Sequence, residues 1–274
     1  MNKSLIKYLF AFMLLSAFLM TSCGDDENTT DNDSKYDLEE RSDSGVSGDV
    51  EFLELTDGRV QIEISLDDTE NGDTHPAHIH ANSAALGGDI LISLTPVAGS
   101  TGSSVTIVDK FDNGDAFTFD MLANLDAYIN VHLSADELET VIAQGDIGSN
   151  ELTGKEKSYD LDERAVDGIS GTVTFKERKN GFVLAEIDLD GTPDNGSHPA
   201  HIHANSAAEG GDILVTFTPV DGSTGKSVTS IRTLDDGTAM NYQLLKLYDG
   251  YVNVHMSAND LGTIVAQGNI GINN

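Results

Sequence analysis

A shift of 123 residues carries most of this chain onto itself, Tyr36–Gly148 onto Tyr159–Gly271, with no net insertion and with more than half of the paired positions identical. Tyr36-Asp37-Leu38 falls on Tyr159-Asp160-Leu161, Arg41 on Arg164, Gly58 on Gly181, Thr95-Pro96-Val97 on Thr218-Pro219-Val220, and Gln144-Gly145 on Gln267-Gly268. A period this long is a domain and not a solenoid unit, since each copy is large enough to bury a core of its own. The organisation expected is a first domain over residues 36–148, a short polar hinge over 149–158 and a second domain over 159–271.

Hydrophobic alternation with period two dominates each copy. Val60, Ile62, Ile64 and Leu66 face one way while Gln61, Glu63 and Ser65 face the other, and Val183, Ala185, Ile187 and Leu189 repeat the pattern. Asp57-Gly58 and Asn180-Gly181, just upstream, predict hairpins with type I′ turns. Further strands are expected at 46–55, 77–82, 89–95, 104–108, 116–121, 127–133 and 140–147, with one helical turn at 134–138, where Ser134 and Glu137 have capping-box spacing. Seven or eight short strands between Gly, Asp and Asn turns make an all-β, antiparallel sandwich or flattened barrel. Tryptophan is absent, so each core rests on Val, Ile, Leu and a few Phe and Tyr.

Residues 1–22 carry Lys3 and Lys7, an apolar run from Tyr8 to Met20 and then small polar residues, the make-up of a signal peptide and too short for a membrane span. Met20-Thr21-Ser22-Cys23 resembles a bacterial lipobox, which would make Cys23, the chain's one cysteine, the lipidated N-terminus of the mature protein. The polar residues 23–35 read as a flexible tether. Gly24-Asp25-Asp26-Glu27 looks like the surface-export signal of some outer-membrane lipoproteins, so the expected location is the bacterial envelope, lipid-anchored and facing outward. The formal net charge of −31 argues against nucleic acid and anionic lipid surfaces as partners. Acidic stretches such as Asp67–Asp73 fit no EF-hand spacing and read as solvated turns.

All eight histidines fall into two equivalent sets. His-Pro-Ala-His-Ile-His occurs at His75–His80 and at His198–His203, and His132 and His255 complete the copies. In a strand, residues two apart project from one face, so His78 and His80 point away from Ile79, and Tyr128, Asn130 and His132 oppose Ile129, Val131 and Leu133. If the two strands are neighbours, His78, His80 and His132 present three imidazoles to one ion, as do His201, His203 and His255. Neutral nitrogen donors suit copper or zinc. His75 and His198, held off by a proline from the ligating pair, are expected to bond a loop carbonyl or to orient a ligand.

Two motifs, His-Pro-Ala-His-Ile-His and Tyr-(Ile/Val)-Asn-Val-His-x-Ser-Ala-x-(Glu/Asp)-Leu, resemble those of the CHRD domain, named for chordin, and the resemblance spans both repeats nearly end to end. It implies two immunoglobulin-like domains similar to Cu/Zn superoxide dismutase. The dismutase spacing His-x-x-His-x-His is matched by His75, His78 and His80, and its later Val-His by Val131-His132. Carried over, the resemblance makes His78, His80 and His132, with His201, His203 and His255, copper ligands. Three features depart from it. No histidine lies between His80 and His132, no cysteine pair exists, and Ala143 and Ala266 stand where a basic residue is usual. The leading reading is a non-catalytic lipoprotein that binds copper first and zinc second. An adhesion module for an extracellular protein or glycan comes next, and a dismutase-type redox enzyme third.

Overall fold

The computed structural model describes residues 28–70 and 72–274; residues 1–22 and Cys23 lie outside the described residues. The first repeat contains β1 (Thr29–Glu40), β2 (Ser47–Leu55), β3 (Val60–Asp67), β4 (Thr74–His75), β5 (Ala77–Ala81), β6 (Ile90–Ser93), β7 (Val97–Ala98), β8 (Ser103–Val108), α1 (Phe119–Leu122), β9 (Asp126–Ser134) and β10 (Glu137–Gly148). The second follows with β11 (Leu152–Glu163), β12 (Ser170–Arg178), β13 (Val183–Asp190), β14 (Ser197–His198), β15 (Ala200–Ala204), β16 (Ile213–Thr216), β17 (Val220–Asp221), β18 (Lys226–Ile231), α2 (Tyr242–Leu245), β19 (Asp249–Ser257) and β20 (Asp260–Gly271). All pairings are antiparallel, and the sheets curl into a half-barrel and a nearly closed barrel, as the alternating pattern predicts.

In the first repeat the strand order is β4-β7-β8-β3-β2-β1-β10-β9-β5-β6. β4 stands at one end and β5 near the other, yet Pro76 alone separates them in sequence. The sheet is therefore drawn round on itself at the histidine motif, where a proline cannot donate to a ladder. Val50, Phe52, Ile62, Ile64, Ile79, Ile129 and Val131 pack inside with at most 1% exposure, and the second repeat repeats the arrangement around Val173, Phe175, Ile187 and Val254.

β1 passes from one half of the sheet to the other: Lys35 and Tyr36 pair with Glu51 and Val50, then Glu39 and Glu40 pair with Gln144 and Ala143. Gly145 permits that crossing, because a Cβ there would run into the Asp37 carbonyl, and Gly268 does the same under Asp160.

The tether and the hinge are shorter than the sequence suggests. Thr29–Lys35 already belongs to β1, and β11 begins at Leu152, inside the expected linker over 149–158. These stretches lack apolar periodicity because main-chain bonds to β2 and β12 hold them, pairing Ser34 with Phe52 and Ser158 with Thr174. The segment 116–121 is not a strand but a bridge at Ala116 followed by α1. Phe117 and Leu122, five apart, are both buried in the core, and a strand would have sent them to opposite faces. Residues 134–138 form no helical turn, since Ser134 pairs with Glu137 across the β9–β10 hairpin. The β2–β3 turn is a three-residue loop with only Gly58 at positive φ, not a type I′ turn, and Arg59 N–H donates to Asp57.

Gly145→Ala should destabilise the fold by about 1–3 kcal/mol through overpacking, measured by urea denaturation. A variant as stable as the parent would show that β1 does not press against β10 at that point.

Candidate metal centre

β5 and β9 lie side by side, Ala77 opposite Val131 and Ile79 opposite Ile129. That register puts His78 and His80 on the same face as Tyr128, Asn130 and His132. β15 and β19 repeat it, with Ala200 opposite Val254 and Ile202 opposite Val252. The main chain fastens the third histidine to the motif, for His132 N–H donates to the Pro76 carbonyl and His255 N–H to that of Pro199, both at 2.8 Å.

The six imidazoles form two triads, His78/His80/His132 and His201/His203/His255, and within each triad one ring nitrogen per residue lies within 4.8 Å of the others. His78 Nδ1 and His132 Nε2 are 3.2 Å apart. Nitrogens bound at about 2 Å to one tetrahedral ion stand a little over 3 Å from each other, so this pair already has ligand spacing. The rings are turned away from the apolar core as expected, yet His132 is only 5% exposed and His255 6%. The third histidine of each triad is sunk into the surface, while His78 and His80 are half-buried.

Three of the triad rings, His80, His203 and His255, are oriented by a carbonyl. His80 Nδ1 is 3.0 Å from the Gly88 carbonyl and His203 Nδ1 is 3.0 Å from that of Gly211. A carbonyl can only accept, so Nδ1 carries the proton and the lone pair sits on Nε2. His255 Nδ1 meets the Leu261 carbonyl at 2.8 Å, where register shifts in the β19–β20 pairing bend that carbonyl toward the ring. In the second triad this leaves His201 Nδ1, His203 Nε2 and His255 Nε2 buried with no hydrogen-bond partner. Buried polar atoms are almost always satisfied. Three unpartnered nitrogens within 4.8 Å of one another are a group that could hold a metal ion.

Burial pushes the imidazoles of His78, His132, His201 and His255 below the ordinary histidine value. Neighbouring imidazoles push His78 and His201 the same way. Neutral rings keep their lone pairs at pH 7. The carboxylates that act on the triads are Asp112 and Glu139 in the first repeat and Asp235 in the second.

His75 and His198 stand outside the triads, buried. His75 Nδ1 bonds the Leu133 carbonyl at 2.9 Å and His198 Nδ1 the His255 carbonyl at 3.1 Å, so each braces the strand that carries the third histidine. Sequence reasoning missed Tyr128 and Tyr251, which stack on His80 and His203 with centroids 5.0 Å apart. Their signal was legible: Tyr128 precedes His132 by four and shares its strand face. It also missed Gly88 and Gly211, where a Cβ would strike the Ala81 or Ala204 carbonyl.

The chain is similar to the cell surface superoxide dismutase [Cu-Zn] 4 of Candida albicans, 35% identical over 72 residues, which is 25% of this chain and 31% of that protein. It thus spans about a third of that relative. No protein-family model and no solved structure matches the chain.

In metal-free protein, ¹⁵N spectra should show His80 and His203 as Nδ1–H tautomers, and His201 and His255 should titrate below about 6.5, the ordinary value. Midpoints at or above that value would contradict the buried setting of these rings.

Proposed function

We propose that the chain is an envelope-anchored lipoprotein whose two CHRD-like repeats each bind a transition metal through three histidines, copper ahead of zinc, without turning over a substrate. The single observation that carries this is the convergence of three buried, unpartnered ring nitrogens in the second triad. The partial similarity to a copper-zinc superoxide dismutase supports the same chemistry. His78, His80 and His132, and their counterparts His201, His203 and His255, would hold the ion. Three neutral nitrogens without thiolate or carboxylate suit copper in either oxidation state. The ion would supply Lewis acidity or one-electron exchange. His75 and His198 would steady the strand behind it.

The dismutase similarity also favours a second reading, superoxide turnover. Against it, Ala143 and Ala266 are buried in β10 and β20 and offer no cation, and the carboxylates of Asp112, Glu139 and Asp235 act on the triads. A negative field repels an anionic substrate. Lipidation of Cys23 would anchor the repeats to the membrane, with the acidic residues behind it directing them outward.

Protein purified without a histidine tag should take up two copper ions per chain by elemental analysis, and His201→Ala with His203→Ala should leave one. Spin resonance of the copper(II) form should show nitrogen ligands. Uptake that persists with all six residues replaced would place the ions elsewhere, and superoxide turnover above that of free copper would favour the redox reading. Cys23→Ser should move the protein from the membrane to the soluble fraction, read by fractionation and by mass spectrometry of the mature N-terminus.

A further inference from the structure

The two triads have the same ligands but different supports. In the first repeat the loop 82–88 carries the Gly88 carbonyl that orients His80. Two side chains from the C-terminal end of the repeat hold that loop: Asp146 Oδ1 accepts from Ala84 N–H at 2.8 Å, and Asn150 Nδ2 donates to the Asn82 carbonyl at 2.7 Å and to Asp126 Oδ1 at 2.6 Å. The second repeat preserves these bonds, Asn269 accepting from Ala207 at 2.9 Å and Asn273 donating to Asn205 at 3.2 Å and Asp249 at 2.6 Å.

What differs is the next layer. Arg178, only 1% exposed, reaches from β12 of the second repeat to pair with Asp146 and to donate to the Asn150 carbonyl at 2.7 Å. Asn180 Nδ2 donates to Asn150 Oδ1 at 2.9 Å, and Arg232 grips Asp126 with both guanidinium nitrogens at 2.7 and 2.8 Å. Asn150 is completely buried as a result. In the second repeat Asp249 is exposed, and none of the hydrogen bonds to Asn269, Asn273 or Asp249 comes from the first repeat. That loop has instead a local brace, Ser206 Oγ to Glu209 at 2.7 Å on the surface, where such bonds stabilise little. The first repeat has Leu86 in the place of Glu209.

We propose that Arg178 is a positioning residue for the first metal site: by locking Asp146 and Asn150 it fixes the loop that aims His80, so the first triad binds its ion more tightly than the second. This rests on the reading of both triads as metal sites. Rigid support lowers the cost of ordering the ligands at binding, and groups behind a ligating histidine govern affinity by about tenfold or more. The duplicated protein thus holds two copper sites of graded affinity, one braced by its neighbour and one left open to exchange.

The test compares single-site proteins in the full chain. His201→Ala with His203→Ala reports the first triad alone, and His78→Ala with His80→Ala reports the second, each titrated with copper(II) against a chromogenic chelator. Into each goes Arg178→Leu with Asp146→Asn, which installs the residues the chain itself carries at the equivalent places, Leu55 and Asn269. The first triad should start tighter and lose about tenfold in affinity, while the second stays unchanged. Amide exchange over residues 82–88 should accelerate and that over 205–211 should not. Should the double variant fail to fold, Asn180→Asp keeps the turn that caps Phe182 but removes the donor to Asn150, and the same selective loss is expected. Triads of equal affinity, indifferent to either change, would overturn this proposal alone. A wild-type chain that takes up no copper would remove the metal reading itself, and the affinity difference with it.

Discussion

The pairing of β5 with β9, and of β15 with β19, is the constraint on which everything else depends. A strand alternates its faces, so once Ile79 meets Ile129 in the core, His78 and His80 have no choice but the opposite side, and His132 joins them three residues past Ile129. A slip of one residue would send Ile79 out and the imidazoles in. The apolar partners are completely buried, and hydrophobic burial therefore sets the register that aligns the ligands. Pro76 adds a second lock, since its carbonyl receives the His132 N–H and its ring ends the short β4 strand.

How much of this was readable in the chain follows from which interactions are local. Alternation along Val60–Leu66 and the histidine spacing are written in consecutive residues, and the strands and the triads follow from them. Strand neighbours are not local, but the 123-residue repeat helped, because whatever pairs in one copy must pair in the other. The failures share a cause. Thr29–Lys35 and Leu152–Ser158 are held by main-chain bonds to β2 and β12, and main-chain bonds leave no mark on side-chain pattern. Ser134 and Glu137 have the spacing of a helix cap, yet the same three-residue step closes a hairpin when the flanking strands already pair. The carbonyl partners of the imidazoles were hidden for a similar reason, since any residue can offer a carbonyl.

Duplication explains why two sites with the same ligands coexist with ends that differ. Where the repeats meet, the second copy carries Arg178, Asn180 and Arg232 in the places of Leu55, Asp57 and Asp109 of the first. Two of those exchanges put a cation or a neutral donor where an acid stands in the other copy. Asp126 and Asp146 at the receiving end are thereby matched by charge. A buried pair broken at Arg178 would leave an acid without its cation, which is why the contact acts as a clasp.

The electrostatics of the chain also bear on what a bound ion can do. With 46 acidic and 15 basic side chains, the protein raises the local concentration of cations around it and lowers that of anions. Burial holds the imidazoles of His78, His132, His201 and His255 toward the neutral form, which keeps their lone pairs free. The stack of Tyr128 on His80 and of Tyr251 on His203 holds one imidazole plane fixed in each repeat. On the proposed function, the negative field fits holding a cation better than turning over an anion, which it repels.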